Sequence, residues 1–150
     1  MIYLDSAGRS FQNYADNIVK QFQQTFSYAY DPSAINRFNN CDSFIILNDT
    51  EKEIFEAVLL AIKEDSTIIN PPSDSETISS LFMKMQLKND TLFKYDPSFK
   101  FDISSMADNY LLQQLAALLG NYRIENYKIT VNNAMRVKGK NFKGDSWEEE

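Results

Sequence analysis

The sequence predicts a mainly α domain with minor β structure: four or five helices around one spanning residues 105–119, with one or two small β-hairpins. Three observations carry that prediction. The stretch from Ser104 to Gly120, SSMADNYLLQQLAALLG, has Asp108 as its single charge. Its leucines at 111, 112, 115, 118 and 119 cover more than one stripe, and a helix apolar over so much of its circumference is buried on several sides. Gly and Pro number only four each, which disfavours a turn-rich all-β fold. Apolar residues also recur at three-and-four spacing in several other segments. A chain of 150 residues buries roughly 68–70% of its unfolded surface, enough for a core without staples.

In order along the chain, Ile2 to Leu4 is a short apolar start. From Ser10 to Tyr30, Phe11, Tyr14, Ala15, Ile18, Phe22, Phe26 and Ala29 fall on one helical face. Asp31-Pro32 ends that helix, because the residue before proline is pushed out of helical geometry. Asp31 then caps a short helix beginning at Pro32 and running to about Asn39. Phe44 to Leu47 is a buried strand or the lead-in to the next helix; four residues do not decide. Thr50-x-x-Glu53 reads as a capping box, with Ile54, Phe55, Val58, Leu59 and Ile62 on the buried face. Asn70-Pro71-Pro72-Ser73 is a loop, and Ser73-x-x-Glu76 opens a helix with Ile78, Leu81, Phe82 and Met85 inward. The run TLFKYDPSFKFDI, with alternating Phe99, Phe101 and Ile103 after an Asp96-Pro97-Ser98 turn, predicts a hairpin. Ser104 or Ser105 caps the central helix and Gly120 closes it as the left-handed C′ residue. Beyond it, Tyr127, Ile129 and Val131 alternate as a strand that Asn132-Asn133 turns back, although helical spacing fits almost as well; β-branched and Asn content favours the extended form.

The chemistry is bounded by exclusions. Without histidine, Ser–His–Asp and Cys–His nucleophilic sites and His-bearing metal centres are ruled out. Cys41 alone makes no disulfide or thiolate cluster, and with no cation beside it in sequence it reads as a quiet thiol. Four dispersed glycines form neither a P-loop nor a dinucleotide fingerprint. Carboxylate chemistry survives, at Asp49, Glu51, Glu53 and Glu56 or at Asp74 and Glu76. Both clusters stand at helix starts, where acids complement the dipole, so neither is assigned a metal or catalytic role, and no cofactor is expected. Nothing resembles a signal peptide or a membrane span, so the expected location is cytoplasmic, or the virion for a viral protein.

Charge is distributed unevenly. Residues 1–120 carry nine basic and sixteen acidic side chains, a net −7; residues 121–143 carry six basic and one acidic, a net +5; the last seven residues add −4. The chain therefore reads as one globular domain over 1–143, ending in a basic arm at 121–143, followed by an acidic tail at 144–150. Arg136, Lys138, Lys140, Phe142 and Lys143 of the arm, with Trp147, Glu148, Glu149 and Glu150 of the tail, are the candidate partner-binding residues. A nucleic-acid partner is disfavoured by the acidic body, whose field repels phosphates. A protein partner is expected, an identical subunit or a multi-subunit assembly, with the arm and tail docking on complementary patches of a neighbour.

DTEKEIFEAVLLAI together with YLLQQLAALLGNYRIEN resembles the helices of tailed-phage head-to-tail connector adaptors. That resemblance implies a small α-helical subunit assembling as a ring. The expected function is accordingly a non-enzymatic structural or adaptor subunit of a larger assembly, of phage or virion connector type. The alternative is an acidic inhibitor, a toxin-immunity or anti-defence protein covering a basic partner surface. A carboxylate enzyme using a divalent metal stands third.

Overall fold

The short apolar runs at the chain start, at Phe44 and at Thr91 are strands, and this changes the fold class. The computed structural model describes residues 1–64 and 78–147. Over these residues the fold is α+β rather than mainly α, with five helices and two three-stranded antiparallel sheets. The chain divides into two compact units, one of residues 1–19 and 107–150, the other of residues 20–106.

In the first unit, β1 (Ile2–Leu4) pairs with β5 (Asn126–Val131), which pairs with β6 (Ala134–Lys138). The β5–β6 turn has Asn132 at φ 48°, a conformation Asn tolerates, so the region left open between hairpin and helix is a hairpin. Phe11 and Ala15 of α1 (Gln12–Phe26 with Phe11 just before it) and Leu112, Leu115 and Leu119 of α5 (Ser104–Asn121) form a core with Ile124, Tyr127 and Ile129. The organising helix lies where the sequence placed it, but its ends differ. Asp102, not a serine, caps the start: Oδ1 accepts the Ser104 N–H at 2.8 Å and its hydroxyl at 2.6 Å. At the other end the Ile124 N–H reaches Leu119 O and the Arg123 N–H reaches Gly120 O, so the left-handed C′ residue is Arg123 (φ 61°), not Gly120.

The second unit holds α2 (Ala34–Asn40), β2 (Phe44–Ile46), α3 (Asp49–Glu64), α4 (Ile78–Lys84), β3 (Met85–Lys88) and β4 (Thr91–Lys94). Its sheet has the order β2-β4-β3. Its core is aromatic: Phe26 and Phe55 have ring centroids 4.6 Å apart, and Phe38 meets Phe99 edge-on at 6.2 Å. The first helix stops at Phe26, short of the expected Tyr30, and Ser33 rather than Asp31 caps α2 by accepting the Asn36 N–H. The capping box of α3 begins two residues earlier than expected. Asn48 Oδ1 accepts the Glu51 N–H at 2.9 Å while Glu51 Oε2 accepts the Asn48 N–H at 3.0 Å. The hairpin also lies earlier, β3 to β4 through Asn89 (φ 57°). Phe99, Phe101 and Ile103 do alternate inward, all buried, but in an unpaired segment leading into α5. The Asn70–Ser73 loop and the Ser73-x-x-Glu76 start lie outside the described residues.

Candidate functional site

Amphipathic α3 buries Phe55, Val58 and Ile62, which leaves Leu60 on its outward side at 55% exposure. Beside it, α4 and the edge strand β3 complete a cleft of about 610 Å³. Glu56, Leu59, Leu60 and Lys63 line it from α3, Phe82 from α4, and Met85, Gln86, Leu87 and Tyr95 from the sheet. The Lys63 ammonium stands 4.8 Å from the Phe82 ring centroid, a cation–π contact. The Tyr95 hydroxyl donates to Gln86 Oε1 at 2.7 Å, which leaves the Gln86 amide N–H groups as donors. A mostly apolar, aromatic wall with a few placed polar groups is the usual make-up of a small-molecule site. Tyr95 also joins the cleft to the outward face of the sheet, where it lies 6.3 Å from Phe93, and Phe93 lies 6.2 Å from Phe44.

Behind the cleft the second unit is fixed by polar clamps. Lys94 is 4% exposed, and its ammonium donates to the Phe38, Asn39 and Cys41 carbonyls at 3.3, 3.1 and 3.0 Å. A cation there meets the negative end of α2 and satisfies the Asn39 and Cys41 carbonyls, while Phe38 O also accepts the Cys41 N–H at 3.2 Å. Asn39 grips Phe101 in both directions, donating to its carbonyl at 3.1 Å and accepting its N–H at 2.8 Å. The Tyr28 hydroxyl accepts the Ile103 N–H at 3.1 Å and lies 3.1 Å from Asp102 Oδ1. Burial, with the Asp102 charge beside it, pushes the Tyr28 phenol up to about 12. Hydrogen bonds from the Ser104 hydroxyl and N–H hold the Asp102 carboxyl below its usual value.

The carboxylates behave as helix-start residues. Glu51 is buried and takes the Arg37 guanidinium at 2.6 Å, Glu56 lies 3.9 Å from Lys52, and no group of three acids or thiols able to hold a metal occurs among the described residues. Asp74 and Glu76 are outside those residues. At Cys41 it is the backbone carbonyl that accepts from Lys94, at 3.0 Å.

The arm residues lie on β6 and in the segment that follows it. Arg136 and Lys138 sit on β6, and Lys138 pairs with Glu125 at 2.6 Å, which raises its pKa. Gly139 follows at φ 67°, where a Cβ would stand 2.2 Å from Asn126 Oδ1, so only glycine fits. Lys140 bridges to Ser146, Phe142 is 75% exposed with Lys143 5.7 Å from its ring centroid, and the Trp147 indole N–H donates to the Lys138 carbonyl at 2.9 Å. Glu148, Glu149 and Glu150 lie outside the described residues. The sequence does not identify the cleft or the clamps as a site; DPSAINRFNN, which holds Arg37 and Asn39 of the clamps, reads there only as a short capped helix.

No family model matches the chain, and no curated protein matches it. Solved structures do. A flavin transferase ApbE from Vibrio cholerae, H257G mutant, superposes with a TM-score of 0.66 at 20% identity, covering 97% of this chain and 60% of its own. The unmutated V. cholerae ApbE gives 0.61 at 20% identity, covering 97% and 55%. The apo flavinyl transferase ApbE of Pseudomonas stutzeri gives 0.69 at 16% identity, again covering 97% and 55%. The fold resembles that of these ApbE structures. This chain spans less than two thirds of the length of each of these proteins.

These matches overturn the connector resemblance. DTEKEIFEAVLLAI and YLLQQLAALLGNYRIEN are amphipathic and buried helices whose spacing many folds share, and the strands between them set the architecture. The expectations of a non-enzymatic structural or adaptor subunit, of a viral or phage protein, and of an acidic inhibitor fall with it, because the fold matched is that of a transferase. Among the described residues no helix is long and apolar enough to cross a membrane.

Proposed function

We propose that this protein acts on a flavin, seating it in the cleft between α3, α4 and β3 as an enzyme of flavin-transferase type. The observation that carries the reading is the likeness of 97% of the chain to flavin transferases. The cleft lining supports it. Phe82 and Tyr95 offer flat apolar surfaces to a flat ring system, Gln86 offers amide donors to a polar ring edge, and Lys63 offers a cation to an anionic substituent. A cleft of about 610 Å³ is of the size that holds a ligand of this class. Equilibrium dialysis with FAD, FMN and riboflavin tests the reading. Binding in the micromolar range, weakened at least tenfold by Phe82→Ala, is the expected result. No binding of any of the three at millimolar flavin refutes it.

A further inference from the structure

The segment after β6 spends many hydrogen bonds on displaying one apolar ring. Lys140 N–H donates to Asn126 Oδ1 at 2.8 Å, and Asn141 Oδ1 accepts the Lys143 and Asp145 N–H groups at 2.9 and 3.1 Å. Asn141 N–H reaches the Asp145 carbonyl at 2.8 Å, and the Trp147 indole fastens the far end to Lys138. At the tip stands Phe142, 75% exposed, between Lys140 and Lys143, which make no ion pair among the described residues. A fixed loop holding an aromatic ring in water between two cations is built to enter an apolar recess with an acidic rim.

The chain itself has such a recess. On α3, Glu56, Leu60 and Glu64 follow at intervals of four, so they share one face with Glu53 one turn earlier. Leu60 is 55% exposed, and it opens on the cleft walled by Phe82 and Met85. That helix carries five acids against two lysines; Glu51 is engaged by Arg37, Lys63 lies against Phe82, and Lys52 makes an exposed pair with Glu56 at 3.9 Å that an incoming cation must share.

The geometry points to a head-to-tail contact between two copies of this chain, Phe142 of one copy entering the α3 cleft of the next while Lys140 and Lys143 meet Glu53, Glu56 and Glu64. Charge complementarity selects the occupant: a net +5 over 121–143 faces a chain that is −7 over 1–120. The contact needs the cleft empty, so a flavin seated there competes with it, and association is therefore read in the flavin-free protein.

Light scattering on the full-length protein, without flavin, at about 100 μM and low salt is the test. A mass above the monomer is expected, falling toward the monomer in 0.5 M NaCl because exposed charges are screened. Phe142→Ser and the pair Lys140→Glu with Lys143→Glu should each weaken association at least tenfold. The triple change Glu53→Lys, Glu56→Lys, Glu64→Lys should do the same, and combining it with the two lysine reversals should restore association. A monomeric wild type at both salts overturns the inference, as does Phe142→Ser associating like wild type or a combined variant that stays monomeric.

Discussion

Lys94 and Tyr28 show how single side chains hold the region behind the cleft. Replacing Lys94 by Met leaves the Asn39 and Cys41 carbonyls without their common donor, Phe38 O keeping the Cys41 N–H, and a buried acceptor left unpaired costs about 1–3 kcal/mol. Urea unfolding of Lys94→Met should show a loss of that order; an unchanged midpoint would mean that water replaces the ammonium at no cost. Tyr28 carries a pH signature. Its folded pKa is raised from 10.0 to about 12, so the neutral phenol is the form the fold favours. Its contribution is complete below pH 10 and fades as the pH rises toward 12. The stability gap between wild type and Tyr28→Phe should therefore narrow over that interval, and a constant gap would contradict the assignment. Asp102, depressed, acts in the opposite direction: its contribution is present above its ordinary value of 3.8 and is lost as the pH falls through the folded value.

The helix ends were legible in part, and the misses share one cause. Ser104, Thr50 and Gly120 are good capping residues by type, but Asp102, Asn48 and Arg123 hold the capping positions. Capping depends on which side chain the incoming chain aims at the first turn, and tertiary packing sets that aim. Arg123 yields a prediction at this scale. A left-handed residue with a side chain costs about 1–2 kcal/mol, partly offset by glycine's greater freedom when unfolded, about 0.4–1 kcal/mol. Arg123→Gly should accordingly stabilise by roughly 0.5–1 kcal/mol in thermal unfolding, and a destabilisation would show that the guanidinium makes a contact of equal worth. Leu115 was assigned to the core by its place in a helix with a single charge and is 4% exposed; Leu115→Ala should cost about 2–5 kcal/mol. The strands were harder to read. Those of three or four residues are too short for a period-two pattern to stand apart from a helical one, so β2 was left undecided and β3 was absorbed into a helix. β5 and β6 were legible because their hairpin is longer and turns at two asparagines.

For the whole molecule, composition excluded histidine and thiol chemistry but had no way to indicate the proposed flavin. Flat ring systems are held by aromatic faces and scattered amides, which sit in ordinary core-like sequence. Lys63 comes from α3, Phe82 from α4, Gln86 from β3 and Tyr95 from the residue after β4, separated by up to 32 positions, so only the fold gathers them. The basic arm was legible as a charge asymmetry, whereas its loop geometry, with glycine required at 139 and the ring of Phe142 displayed, was not. The claim that a flavin occupies the α3–α4–β3 cleft is tested most directly by backbone amide chemical-shift mapping during an FMN titration. The account predicts saturating shifts concentrated at Leu59, Leu60, Lys63, Met85, Gln86 and Leu87, and their loss in Phe82→Ala. Saturable shifts elsewhere with those six amides unmoved would contradict it.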